Sequence, residues 1–137
     1  MQGRLSYAGR KLQSFPKKPY EEFKLASKIG YDFIEFFGEK VKNSKNPIWS
    51  NHGKKKYNSL SKKNSIKIYS FCDNYIINHS LSSAKTFKVI EHTLKSLSSL
   101  KIKKYILPLY GSSELNLKNK SKIYKNVSKI SKICIEK

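Results

Sequence analysis

The chain has 137 residues, enough for one domain with its own core, and its 38% hydrophobic and 28% charged residues are globular in balance rather than disordered. It carries a formal net charge of +20, yet all but Arg4 and Arg10 of its 29 basic residues are lysines spread along the sequence, which disfavours a sequence-specific nucleic-acid reader built on arginine forks. No run of about 18 apolar residues occurs and the N-terminal MQGRLSYAGRK has no apolar segment, so neither a membrane-spanning helix nor a secretory signal is expected.

The predicted elements alternate. Residues 2–5 form a short candidate strand. Residues 19–29 read as a helix, with Pro19 at its first position, Glu21 and Glu22 in the first turn, and Phe23, Ala26 and Ile29 on one face. Gly30 suits the left-handed position just past its end. Residues 32–37 (DFIEFF) form a buried strand. Residues 43–49 form a loop containing Pro47. Ser50 can cap a second helix to about residue 63, with Tyr57 and Leu60 inward and Asn64 ending it.

Residues 66–72 (IKIYSFC) form the next strand. Residues 83–100 give the clearest helix, with Phe87, Ile90, Leu94, Leu97 and Leu100 at three- and four-residue steps. Residues 105–109 (YILPL) form a fourth strand, limited by Pro108. A last helix runs from Ser121, with Ile123, Val127, Ile130 and Cys134 on one face. Strands alternating with helices imply βαβ units and a parallel sheet in one α/β domain over residues 1–137. This pattern fits an open doubly wound sheet or part of a barrel. No glycine-rich phosphate loop follows any strand, which weakens the nucleotide-binding versions. Cys72 and Cys134 match no zinc or redox spacing and fit a reducing cytoplasm.

The stretches MQGRLSYAGRKLQSFP, IGYDFIEFF, NPIWSNHGKK, IKIYSFCDNYIINHSL and KIKKYILPLYGSSEL together resemble, in register, the opening half of the sugar phosphate isomerase/epimerase proteins of the xylose isomerase-like barrel superfamily. The resemblance implies a parallel (βα)₄ half of a (β/α)₈ barrel, a fold of about 250 residues, truncated before its fifth strand. It implies carbohydrate metabolism, a sugar or sugar phosphate substrate, and proton transfer beside a carbonyl assisted by a divalent metal. In that superfamily the metal is held on strands five to eight, so no metal is expected to be held by this chain alone. A complementary half-barrel or a homodimer is the implied protein partner. A non-catalytic remnant and a basic nucleic-acid or anion-binding module are the alternatives.

Barrel sites lie at the carboxyl ends of strands, which selects four candidate substrate-binding residues. Arg4 suits a phosphate or sugar oxygen, or a rim salt bridge. Glu35, inside an apolar run, points to a barrel mouth or to a buried structural pair. Asp73, followed by Asn74, matches the acidic residue after the family's third strand, and His79 matches its histidine. Read without the resemblance, Asp73 is a turn residue and His79 a loop histidine. His52 and His92 read as solvated helix residues, and Cys72 as a core strand residue.

Overall fold

The computed structural model describes residue 16 and residues 18–135. Arg4 and the candidate strand at residues 2–5 lie outside them. The described chain is α/β. Helix α1 (Glu22–Ile29) leads into strand β1 (Phe33–Gly38). A 3₁₀ turn (Pro47–Trp49) and helix α2 (Asn51–Asn64) return the chain to strand β2 (Lys67–Asp73). A one-turn helix α3 (Tyr75–Asn78), helix α4 (Ala84–Leu97) and a 3₁₀ turn (Ser98–Leu100) lead to strand β3 (Lys104–Ile106). A further 3₁₀ turn (Gly111–Ser113) precedes helix α5 (Lys120–Ile135).

The sheet order is β1-β2-β3, and both pairings are parallel. Each strand lies beside its predecessor through a helical crossover, the connection parallel pairing requires. A segment of a barrel and one wing of an open sheet share this order. The β1–β2 register jumps between Ile34 and Glu35, pairing Glu35 with Ser70 and Phe36 with Phe71. Alternation then separates two faces. Ile34, Phe36 and Phe71 join the core under the helices, while Glu35 and Ser70 stand on the other face.

The first core cluster is aromatic. The Tyr57 ring of α2 lies 5.7 Å from Phe23 of α1 and 4.6 Å from Phe36 of β1, and Phe23 meets Phe36 edge to face at 6.2 Å. Burying each such side chain contributes roughly 1.5–3 kcal/mol. The second cluster sets Ile76 and Leu81 against Ile90 and Leu94 of α4 and Ile123 and Ile130 of α5.

Several boundaries differ from the sequence reading. Helix α1 starts at Glu22, because Pro19 and Tyr20 form a turn before it. Gly30 takes the left-handed conformation, with φ of 91°, as its position predicts. Ile29 is 59% exposed and leaves the inward face to Phe23 and Ala26. The left-handed end of α2 falls on Ser65, one residue past Asn64. Strand β3 stops at Ile106, ahead of Pro108, which has no N–H to offer a ladder. Cys134 is exposed, although the helical period placed it inward.

Candidate functional site

A cleft of about 400 Å³ opens at the carboxyl ends of β1 and β2, between the loop after β1 and the first half of α4. Polar residues from three segments line it: Glu39 and Lys42 after β1, Asp73 at the end of β2, and Lys85, Lys88 and His92 on α4. Trp49, Tyr75 and Val89 supply much of its apolar wall. A concave, mostly apolar site with a few converging polar groups is the usual form of a small-molecule pocket.

Local sequence fixes the aromatic wall. The buried Asn46 side chain accepts a hydrogen bond from Ile48 N and donates to Glu39 Oε2 at 3.1 Å, so it caps the 3₁₀ turn and ties it to the end of β1. Glu39 Oε1 also accepts from Asn43 Nδ2 at 2.8 Å. Below the turn, Gly53 brings α2 into close contact: a Cβ there would stand 2.2 Å from the Pro47 carbonyl oxygen. Only glycine permits this approach. The turn so held carries Trp49. Its indole Nε1 is buried and has no hydrogen-bond partner among the described residues. Lys42 Nζ lies 5.2 Å from the centroid of the same ring, a cation–π distance.

Asp73 is the buried acid of the cleft. Its Oδ1 accepts from Tyr75 N at 3.1 Å, and its Oδ2 accepts from the Tyr105 hydroxyl in a short hydrogen bond. Burial pushes its carboxyl above the ordinary value, and the two hydrogen bonds partly oppose the shift. Burial, followed by the Asp73 charge, pushes the Tyr105 hydroxyl up as well. Beside them, burial raises the Cys72 thiol to about 11, with the Glu35 and Asp73 charges adding to the effect.

The three described members of the predicted site, Glu35, Asp73 and His79, do not share the cleft. Asp73 lies in the cleft. His79 ends α3 outside the cleft wall, stacked on the Tyr75 ring at 3.9 Å, with Nδ1 3.0 Å from the Tyr75 carbonyl oxygen. It therefore supports Tyr75, a wall residue. Glu35 stands on the opposite sheet face and accepts a 2.6 Å hydrogen bond from the Ser70 hydroxyl. Arg4 is outside the described residues. Lys42, Trp49, Lys85 and Lys88 were not singled out from sequence. The three lysines are lost among 24 other lysines, although Trp49 is the single tryptophan. His92, read as a solvated helix residue, is exposed yet contributes to the cleft rim.

Among the described residues, no three His, Cys, Asp or Glu side chains converge as a metal-holding group. Both Asp73 oxygens already accept hydrogen bonds, and the neighbouring cleft cations oppose a second positive charge. No family model matches the chain, and no curated protein matches it.

Proposed function

We propose that this chain binds a sugar phosphate in the cleft at the carboxyl end of its parallel sheet, as part of a barrel of the sugar phosphate isomerase/epimerase type that its sequence resembles. The observation that carries the reading is the convergence of Lys42, Lys85 and Lys88 with Trp49, Tyr75 and Asp73 around one cleft. Lysine is an effective point-charge partner for phosphate. Among the described residues, none of these three lysines forms an ion pair, so their charge is available to a ligand. Aromatic walls suit the apolar face of a sugar ring, and the unmatched Trp49 N–H suits one of its oxygens.

In this reading Asp73 faces a sugar hydroxyl or the carbon beside the carbonyl. Its raised pKa brings it toward the range useful for proton transfer at neutral pH. Tyr105 positions that carboxyl from the neighbouring strand. The sequential parallel order of β1, β2 and β3 is the order a half-barrel would have, and ligands of parallel sheets commonly bind at strand carboxyl ends.

Isothermal titration calorimetry against a panel of aldose and ketose phosphates tests the reading. One-site binding is expected, weakened about tenfold or more by Lys85→Ala or Lys88→Ala, consistent with loss of a charged hydrogen bond worth about 1.5–3 kcal/mol. Absence of heat with every sugar phosphate, from folded protein, would contradict it and favour a non-catalytic remnant.

A further inference from the structure

The opposite, amino end of the sheet has a different character. Lys62 lies in the last turn of α2, Lys67 opens β2, Lys101 follows the 3₁₀ turn after α4, and Lys103 precedes β3. These four, scattered over 42 positions of sequence, line one cavity of about 480 Å³ together with Tyr69. Among the described residues none of them forms an ion pair. The acid nearest in the strand register is Asp32, whose backbone carbonyl, not its carboxylate, accepts from Lys67 N at 3.0 Å.

Rings continue the surface. Tyr69 packs at 5.1 Å against Phe33, which is 49% exposed at the start of β1, and Lys104 Nζ lies 5.4 Å from the Tyr69 ring centroid. Helix carboxyl ends favour cations, which accounts for Lys62. It does not account for Lys67, Lys103 and Lys104, which lie in or beside strands.

We infer that this rim binds single-stranded nucleic acid without sequence preference. Lysines tracking a phosphate backbone beside rings that can stack on bases are the two components of such a site. The scarcity of arginine argues against base-edge reading in a duplex groove. It does not argue against this mode, which needs point charges and exposed rings. The lysines look dispersed along the sequence, and folding gathers them.

Fluorescence anisotropy with a labelled oligo-dT of about twelve nucleotides tests the inference. Four phosphate contacts predict a loss of affinity of about fiftyfold between 50 and 200 mM NaCl, and Lys67→Glu with Lys103→Glu should reduce that loss to about sevenfold. Phe33→Ala and Tyr69→Leu should each weaken binding about fivefold or more and leave the salt dependence unchanged. Circular dichroism verifies that each variant is folded. Phe33 is surface-exposed, so its variant carries the stacking test if Tyr69→Leu unfolds the protein. No anisotropy change at 50 mM NaCl would overturn the inference. So would binding indifferent to the ring substitutions, or inorganic polyphosphate bound as tightly by the Phe33→Ala variant as oligo-dT is by the parent chain.

Discussion

The Tyr105 hydroxyl donates a hydrogen bond to the Asp73 carboxylate, linking strands β3 and β2 at the base of the cleft. Burial raises the pKa of Asp73 in spite of this bond. The sign of the consequence follows from linkage: between the ordinary value of 3.8 and the raised folded value, the native state binds more protons than the unfolded chain. Stability from this group is therefore greatest at low pH and is lost as pH rises through the folded pKa. Asp73→Asn keeps the shape and removes the buried charge. Its melting temperature should equal or exceed that of the parent at pH 7, with the advantage shrinking toward pH 4. A variant much less stable than the parent at pH 7 would mean that the ionised carboxylate holds the fold together.

Gly53→Ala should act against the helix-propensity rule. Alanine ordinarily improves a helix interior by up to about 1 kcal/mol over glycine. Here its Cβ would meet the Pro47 backbone at 2.2 Å, and overpacking of that kind costs about 1–3 kcal/mol. Chemical denaturation should show a net loss, accompanied by a changed Trp49 emission maximum as the 3₁₀ turn is displaced. A gain in stability would show that the contact between turn and helix is loose.

Phe36→Ala removes the ring shared by β1, α1 and α2. The expected loss is about 3–5 kcal/mol in denaturant unfolding. Exposed Phe33 on the same strand should lose less than about 1 kcal/mol on the same change, since surface positions rarely cost more than a few tenths. Equal losses would contradict the assignment of the two faces of β1.

The thiols should separate kinetically. Cys72 is buried, with its pKa raised to about 11, whereas Cys134 is exposed. A thiol reagent at pH 8 should modify Cys134 readily and Cys72 only on unfolding, because the thiolate is the reacting form. Rapid modification of both in folded protein would show that β2 opens.

Much of the fold is legible in the sequence because its signals are local. The Ser50 side chain accepts from Gly53 N as an N-cap, Gly30 adopts the left-handed end of α1, and the spacing of Ile90, Leu94 and Leu97 marks the buried face of α4. The one-turn helix at Tyr75–Asn78 and the 3₁₀ turns are too short for periodicity to register. The cleft was harder to read. Asp73 was visible as an acid at a strand end, but Lys85 and Lys88 carry no sequence mark among so many lysines. The role of Trp49 depends on Gly53 admitting Pro47 across a helix–turn contact. Glu35 stands out in the sequence as a carboxylate within an apolar run. Its partner Ser70 comes from the next strand through a register jump that no linear pattern announces.

Trp49 is the single tryptophan of the chain and lines the cleft, so its fluorescence tests the proposed sugar phosphate site most directly. Titration with phosphorylated sugars should produce a saturable change in Trp49 emission. The unphosphorylated sugars should bind at least about tenfold more weakly, and Lys42→Ala and Lys88→Ala should shift the phosphorylated curves toward theirs. An emission spectrum unchanged by any sugar phosphate, in protein shown to be folded, would contradict the account.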